Sequence, residues 1–401
     1  MNLKNMSGSA LGLLGLVFVV LHGIACGGEP AKVFILAGQS NMQGHAQIRT
    51  MVAMGKDAET ESLYRELVNP NGEPKEAESV WISSVGSSSE VKVGRLTVGF
   101  GAEARGPKIG PEYSFGFEMQ KLYPNSPIVL IKTAWGGKSL HTDFRPPSAR
   151  PYEFSAGQKE RFEKQGKDLE EQRASKQQAT GVYYRAMMEH VHDSLGKLAR
   201  ICPEYDDDEG YELAGFVWFQ GWNDMVDSGT YPDRGQPGSY DSYTDLLRLF
   251  VADVRKELST PDLPFVVGVM GVGGSMRWMP PRIQKIHGAF RDAMAAAAED
   301  DDFVVAVHTA DFWDESYAAL KPKDEEINRE LKELEKAGEL ARKDRASEQE
   351  RRRRETFSEE EYELLTESVS NAEYHYLGSA KIMTQIGKAF AKALNDLQKR
   401  N

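Results

Sequence analysis

The residues with the clearest chemical potential lie in four short groups, three of which directly follow an apolar run. The groups are Gly38-Gln39-Ser40-Asn41, Ala134-Trp135-Gly136-Gly137-Lys138-Ser139, Gln220-Gly221-Trp222-Asn223-Asp224 and Tyr374-His375-Tyr376-Leu377-Gly378-Ser379-Ala380. Ester hydrolysis needs a nucleophile, a base that takes its proton, and N–H donors aimed at an oxyanion. Brought to one place, these four groups could supply all three parts.

Each part has a candidate residue. Ser40 can attack an ester carbonyl, and His375 can accept the serine proton. The backbone N–H groups of Ser40 and Gly137, with the side-chain amide of Asn223, can hold the oxyanion. Glycine suits position 137 because a residue without Cβ lets a carbonyl approach the backbone closely. The structural alternative is that Ser40 only caps the segment that follows, as serines after strands often do.

Five apolar runs of strand length predict the sheet that must position these groups. They are Val33–Ala37, Ile128–Thr133, Gly215–Phe219, Phe265–Met270 and Phe303–His308. Most are followed by a helical pattern, and this alternation indicates a mostly parallel sheet with helices on both faces. The carboxyl ends of parallel strands meet at one edge, where ligands bind in open α/β sheets. We therefore expect the four polar groups to converge there.

The helical patterns lie between and after these strands. They cover Gly110–Leu122, Val182–Ile201, Tyr243–Leu258, Pro281–Ala298 and Gly378–Leu397. Two further stretches, residues 152–180 and 321–366, are rich in Glu, Lys, Arg and Gln and poor in aromatic residues. Opposite charges recur in them at helical spacing. We therefore expect two charged helical insertions on the periphery, outside the core.

The four groups together resemble the SGNH hydrolases, and within them the sialate O-acetylesterase-like carbohydrate esterases. The letters S, G, N and H match Ser40, Gly137, Asn223 and His375 in chain order. Gly38-Gln39-Ser40-Asn41-Met42 is the characteristic opening of the carbohydrate-esterase branch. The resemblance runs from about Val33 to Phe390, interrupted by the two insertions.

The resemblance implies a three-layer, flavodoxin-like α/β fold, with one esterase domain over residues 30–400. It implies hydrolysis of an acetyl or similar short acyl ester on a carbohydrate, through an acyl-serine intermediate. Ser40 and His375 would be catalytic, and Ser40, Gly137 and Asn223 would form the oxyanion hole. No metal or organic cofactor is expected. The family supplies the substrate class, since the residues themselves support only acyl transfer.

The sequence departs from the family pattern at the acid that orients the histidine. SGNH enzymes usually carry an aspartate three residues before the histidine, where it stabilises the imidazolium form. Here that position is Ala372. Glu373 and Asp311 are the candidate carboxylates, and a Ser–His dyad oriented by a backbone carbonyl or an amide is the alternative.

Composition and the N-terminus indicate the setting in which the protein works. A net charge of -12 argues against nucleic acid or an anionic membrane surface as a partner. Residues 1–25 resemble an export signal, with Lys4, an apolar run and a small-residue cleavage site, so we expect a periplasmic or secreted protein. Cys26 directly after it permits the alternative of a lipoprotein signal with a lipid anchor. Only Cys202 would then remain free, which excludes a disulfide framework.

Two other functions fit parts of the pattern. The missing aspartate leaves room for a non-catalytic carbohydrate-binding protein on the same fold. A wide apolar groove beside Ser40 would favour an SGNH lipase or thioesterase instead. Trp135 and Trp222 flank the oxyanion residues and suit either sugar stacking or core packing. His45 and His141 follow the first two groups and suit either the pocket wall or packing.

Overall fold

The computed structural model describes residues 29–88 and 90–400, so the expected export signal and Cys26 lie outside the described residues. The strands in these ranges, numbered in chain order, are β1 Ala31–Gly38, β2 Ala46–Gln47, β3 Val80–Val85, β4 Lys92–Arg95, β5 Lys108–Ile109, β6 Ile128–Ala134, β7 Tyr211–Phe219, β8 Phe265–Val269 and β9 Val304–His308.

Seven of the strands form one sheet in the order β4-β3-β6-β1-β7-β8-β9. Every neighbouring pair in it is parallel except β3 and β4, which are antiparallel. The five strands predicted from the apolar runs are confirmed, and β1 lies at the centre of the sheet. The sheet also contains β3 and the edge strand β4, which the sequence does not predict. β4 is only four residues long and has no buried residue, so it lacks the apolar run that marks the others.

The helices lie between and after the strands. They are α1 Ser40–Gln43, α2 Val52–Lys56, α3 Glu61–Leu67, α4 Glu112–Leu122, α5 Ala156–Lys164, α6 Leu169–Ala179, α7 Val182–Leu195, α8 Leu198–Ile201, α9 Trp222–Val226, α10 Asp241–Glu257, α11 Pro281–Ala296, α12 Glu315–Ala337, α13 Arg345–Thr356, α14 Glu359–Glu367 and α15 Ala380–Arg400. Within the described ranges, no helix has the length and apolar character needed to cross a membrane.

Helices cover both faces of the sheet, which gives three layers. On one face, α15 packs so closely that a Cβ at Gly215 of β7 would lie 2.8 Å from Leu394. On the other face, Phe250 of α10 meets Trp218 of β7 with ring centroids 4.3 Å apart. Strand residues alternate between the two faces, so β7 is buried on both sides. The predicted α/β fold with a mostly parallel sheet is confirmed.

The charged segments contain helices, and the second segment builds a small core of its own. Helices α5 and α6 lie within residues 152–180, and no residue of α6 is buried. In the second segment, Ile327 and Leu331 of α12 pack with Phe357 and Leu365, apart from the main core. Four apolar side chains among many charges do not stand out in sequence, which is why this segment was expected to be wholly solvated.

A buried ion pair ties the centre of the sheet to the segment that carries Ser40. Lys132 of β6 and Glu112 of α4 are almost completely buried, and their charged atoms lie 2.7 Å apart. The Lys132 ammonium also donates to the carbonyls of Gln43, at the end of α1, and Phe100. Burial lowers the pKa of Lys132, and the Glu112 carboxylate opposes that shift. The ammonium thus holds β6, α4 and α1 together.

Removing one partner of this pair should destabilise the fold strongly. Glu112→Ala would leave the Lys132 ammonium buried beside carbonyls alone, and we expect the free energy of unfolding to fall by about 3–5 kcal/mol. Urea denaturation followed by circular dichroism measures this change. The matched control is Glu160→Ala, which removes a partner from the exposed pair with Lys164 and should cost far less. Equal losses in the two variants would contradict the structural role of the buried pair.

Candidate active site

Ser40 lies where the central strand ends. β1 stops at Gly38, and a Cβ at that position would lie 2.2 Å from the carbonyl oxygen of Phe219 in β7. Only glycine permits this approach, which brings the ends of β1 and β7 together. Ser40 then opens the short helix α1 and is 6% exposed. Its hydroxyl is therefore placed rigidly at the carboxyl edge of the sheet.

The side chain of Gln39 links the serine loop to the loop after β7. Its amide oxygen accepts hydrogen bonds from the backbone N–H of Gly221 (3.1 Å) and from the side-chain amide of Gln220 (3.2 Å). Its amide nitrogen donates to Oδ1 of Asn223 (3.1 Å) and approaches Oγ of Ser40 (3.5 Å). Because Oδ1 of Asn223 faces Gln39, the Nδ2 donor of Asn223 is the end available to the pocket that this residue lines.

Gly137 lies in the loop after β6, and the buried carboxylate of Asp224 holds that loop in place. Gly137 has a left-handed backbone conformation (φ +74°) with open space where a Cβ would be. Asp224 is fully buried and accepts from the backbone N–H groups of Leu140 (2.8 Å) and His141 (3.0 Å). The side-chain amide of Gln220 adds a bond to the carbonyl of Lys138 (3.0 Å). The oxyanion candidates after β1, β6 and β7 therefore share one polar network.

These groups open onto a single pocket of about 630 Å³. The part of the wall that the structure describes is polar and aromatic, without a large aliphatic side chain. The lining residues are Ser40, Gln43, His45, Ser87, Ser88, Ala102, Glu103, Ala104, Gly136, Gly137, Trp222, Asn223, Tyr374 and His375. The structure thus brings Ser40, Gly137, Asn223 and His375 together, as the strand-end argument predicts.

A strained turn before α15 presents His375. Tyr376 and Leu377 have left-handed φ angles of 50° and 62°, which cost side-chain-bearing residues energy. The turn is held by the fully buried Tyr376, whose hydroxyl accepts from the backbone N–H of Gly271 (2.7 Å) and lies 2.6 Å from Oγ1 of Thr309. The carbonyl of Leu377 accepts from the N–H groups of Ser370 (2.8 Å) and Asn371 (2.9 Å). The buried neighbours of His375 therefore fix its position.

An amide, not a carboxylate, contacts the inner nitrogen of His375. Oδ1 of Asn371 lies 3.1 Å from Nδ1 of His375, and Nδ2 of Asn371 lies 3.5 Å from Nδ1 of His45. The His45 ring stacks on the His375 ring with centroids 3.8 Å apart and planes 3° apart. Since an amide oxygen only accepts, Nδ1 of His375 carries its proton and Nε2 is left free to accept one.

Both stacked histidines are neutral near neutral pH. Burial lowers the pKa of His375 to about 4. Burial and then the neighbouring charge of His375 lower the pKa of His45 to about 3. Two imidazolium rings at stacking distance would repel each other, so protonating both rings at once is unfavourable. His375 is thus in its base form over a wide range of pH.

The two candidate carboxylates do not contact His375. Glu373 Oε1 lies 2.7 Å from Lys321 Nζ, an ion pair with α12. Asp311 is exposed, in the short 3₁₀ turn after β9. Neither is a hydrogen-bond partner of His375 within residues 29–88 and 90–400. The alternative of a histidine oriented by an amide is the one that this geometry favours, with Asn371 as that amide.

Of the remaining aromatic and histidine candidates, some line the pocket and others pack inside the protein. His45 and Trp222 line the pocket, and the Trp222 and Tyr374 rings lie side by side with centroids 5.7 Å apart. Trp135 instead packs against Phe144 and Tyr183. His141 lies outside the pocket lining, and its Nε2 is 3.1 Å from Oδ2 of Asp227. In the described ranges, no cluster of His, Cys, Asp or Glu is suited to hold a metal ion.

The comparison with protein families agrees with this site. A family model described as SASA, carbohydrate esterase, sialic acid-specific acetylesterase, matches residues 30–312, well over half of the chain. The chain belongs to this family. As a carbohydrate acetylesterase it is a carboxylic ester hydrolase, and the matched region contains Ser40, Gly137 and Asn223. His375 lies beyond the matched region, so its place in the site depends on the geometry described above.

Three solved structures are similar to this acetylesterase at low sequence identity. A protein from Arabidopsis thaliana has 17% identity and a TM-score of 0.38, covering 70% of this chain and 86% of that one. XAC1771 from Xanthomonas citri, described as a novel carbohydrate acetylesterase, has 13% identity and a TM-score of 0.38, covering 71% and 51%. NanS has 13% identity and a TM-score of 0.37, covering 70% and 78%. No curated protein sequence matches the acetylesterase.

The contact between Asn371 and His375 predicts an unusual pH profile. If His375 is the base, kcat/KM for a small acetyl ester should stay level until the pH falls to about 4, the pKa of His375. Asn371→Asp places a carboxylate beside Nδ1, which favours the charged ring and raises that pKa. The base form is then lost at a higher pH, so the acidic limb of the kcat/KM profile should move to higher pH.

The control for this measurement is Asn125→Asp, which adds the same charge at an exposed position. Its acidic limb should coincide with that of the unmodified acetylesterase. An acidic limb of Asn371→Asp that stays in place or moves to lower pH would contradict the assignment of Asn371 as the partner of His375.

Proposed function

We propose that this acetylesterase removes O-acetyl groups, or similar short acyl groups, from a carbohydrate through an acyl-serine intermediate. The observation that carries the proposal is the meeting of Ser40, Gly137, Asn223 and His375 around one pocket. These are a nucleophile, two kinds of oxyanion donor and a base, and each is held by contacts within the sheet edge. Membership of the carbohydrate esterase family supports the same chemistry.

In the first half of the reaction, Nε2 of His375 takes the Ser40 proton as Oγ attacks the acetyl carbonyl. The negative charge on the carbonyl oxygen is stabilised by the backbone N–H groups of Ser40 and Gly137 and by Nδ2 of Asn223. His375 then returns the proton to the sugar oxygen that leaves. In the second half, the same base activates a water that hydrolyses the acetyl-serine, and acetate is released.

The imidazolium form of His375 has no carboxylate partner in this scheme. Asn371 keeps the ring oriented with its proton on Nδ1, and the π face of the neutral His45 ring lies against the ring that becomes charged. We therefore propose a Ser40–His375 dyad oriented by Asn371, instead of a triad completed by Glu373 or Asp311.

The pocket wall supports a sugar as the alcohol part of the ester. Trp222 and Tyr374 offer aromatic faces beside the catalytic residues, and Ser87, Ser88 and Gln43 offer polar atoms. A lipase or thioesterase needs an apolar channel for its acyl chain, and the described lining residues include none of the large aliphatic side chains that would build one. The export signal expected at residues 1–25 would place the reaction outside the cytoplasm.

The test of the function is acetate release from O-acetylated sugars, compared with hydrolysis of nitrophenyl acetate and nitrophenyl palmitate. We expect rapid release from an acetylated sugar, turnover of nitrophenyl acetate and negligible turnover of the palmitate ester. Faster hydrolysis of the palmitate ester would support the lipase alternative. Failure to release acetate from any acetyl ester would support a non-catalytic binding protein.

Ser40→Ala should abolish turnover without changing the fold. Without the nucleophile, only binding and the oxyanion hole remain, so we expect kcat to fall by more than about a thousandfold. A serine-directed fluorophosphonate should label the unmodified protein and not the variant. The control is Ser194→Ala, which removes a buried hydroxyl on α7 outside the pocket. Retention of more than about a tenth of kcat in Ser40→Ala, a barrier change under about 1.4 kcal/mol, would contradict its role.

Asn223 should act mainly on the transition state. Asn223→Ala removes one oxyanion donor, so we expect kcat to fall by roughly a hundredfold to a thousandfold with little change in KM. Asn223→Asp keeps an oxygen toward Gln39 but replaces the donor with a negative charge, and should lose at least as much. An effect confined to KM in both variants would place Asn223 in ground-state binding.

A further inference from the structure

A second cavity lies beside the first charged insertion, and its wall is strongly basic. It has a volume of about 910 Å³ and is formed by the loop 145–154, helices α5 and α6 and the start of α7. Its cationic lining residues are Arg145, Arg150, Lys159, Arg173, Lys176 and Arg185, against two acids, Glu153 and Glu170. It shares no lining residue with the pocket around Ser40.

The cations of this basic cavity are mostly unpaired. Arg173 forms an ion pair with Glu170. Among the described residues, none of the other five cations forms an ion pair with a carboxylate. Arg145 donates to the backbone carbonyls of Arg150 and His141. The positive charges of the cavity are therefore left largely without compensation.

The second insertion provides an internal comparison. Its four consecutive arginines, 351–354, each form an ion pair with an acidic side chain, so a run of like charges is neutralised. This is the usual condition of a solvated charged helix. The basic cavity differs because its cations come from separate elements and face one space.

Two of these cations are also partly buried. Burial lowers the pKa of Lys176 and the pKa of Arg145. The Lys176 ammonium lies 3.9 Å from the centre of the Tyr152 ring, an attractive but uncharged partner. Asp227 and Asp143 act on Lys176 from a distance, but Asp227 pairs with His141, and Asp143 accepts from the hydroxyl of Ser139. Keeping such cations close together costs energy that a bound anion would recover.

We propose that the basic cavity binds a carboxylate-bearing oligosaccharide at a site separate from the reaction pocket. In a protein with a net charge of -12, a local positive surface of this kind attracts anions against the overall field. Arginine side chains suit carboxylates because their planar fork donates two parallel hydrogen bonds. The occupant is a carbohydrate because the chain is a carbohydrate esterase. Among the described residues that line the reaction pocket, Glu103 is the one that is charged near neutral pH, so these residues cannot neutralise such a chain.

The loop after β6 connects the two sites. It contains the oxyanion candidate Gly137 at its start and Arg145, a wall residue of the basic cavity, eight positions later along the chain. A glycan held at the basic cavity would therefore lie against the same loop that receives the acetyl group. This inference concerns binding only, so it holds or fails independently of the proposed hydrolysis.

The test is calorimetric titration of the full-length protein with tetragalacturonate, with neutral maltotetraose as the comparison ligand. We expect binding of tetragalacturonate only, weakening as sodium chloride rises because the attraction is electrostatic. Arg150→Glu/Lys159→Glu reverses two exposed charges on the cavity wall and should raise the Kd for tetragalacturonate at least tenfold. Lys392→Glu/Lys399→Glu reverses two exposed charges of α15 and should leave the Kd unchanged.

Hydrolysis of nitrophenyl acetate by both double variants should match that of the unmodified protein, since neither changes the reaction pocket. N-acetylneuraminic acid serves as a carboxylated monosaccharide. Weaker binding than that of the tetramer would support a site for an oligosaccharide, and equal binding would overturn that assignment. No binding of tetragalacturonate, equal binding of maltotetraose, or a Kd unaffected by Arg150→Glu/Lys159→Glu would each overturn the proposal.

Discussion

The amide of Gln39 is the interaction on which the geometry of the site depends. It is 1% exposed, so its oxygen and nitrogen must be satisfied within the protein. Its partners are the backbone of Gly221 and the side chains of Gln220 and Asn223, all from the loop after β7 and the short helix α9 that follows it. The serine loop and the oxyanion donor therefore move as one unit. Asp224 extends the same network to the loop after β6, so three strand ends share one buried layer of hydrogen bonds.

The histidine illustrates a different balance between orientation and charge. A carboxylate beside the inner nitrogen orients the ring and stabilises its charged form, whereas an amide provides orientation alone. Asn371 therefore leaves the pKa of His375 near 4, where burial has placed it. The imidazolium is then stabilised less during the reaction. In exchange, the ring stays in its base form in mildly acidic surroundings, and the stacked His45 ring provides an uncharged face beside it.

Much of the fold can be predicted because its strands and helices correspond to local patterns of apolar and polar residues. The five apolar runs and the helical patterns are sufficient to predict that Ser40, Gly137 and Asn223 lie at one edge of the sheet. Asn371 could not be identified in this way, because its contact with His375 depends on a turn whose left-handed residues, Tyr376 and Leu377, carry no local signal. The Lys132–Glu112 pair also joins separate elements. The sequence shows that Lys132 lies inside an apolar strand, but it does not indicate which acidic residue is the partner of this lysine.

The strained turn that carries His375 has a consequence for the order in which the protein acquires activity. Ser40 comes directly after the first strand, whereas His45 and Asn371, which meet beside the catalytic histidine, are 326 residues apart along the chain. Tyr376 holds the left-handed turn against the ends of β8 and β9, so this support is absent until those strands have joined the sheet. During synthesis the serine thus emerges well before its base and remains without it until His375 has been added to the chain. An interrupted chain would be an inert fragment and could not act as an unregulated esterase.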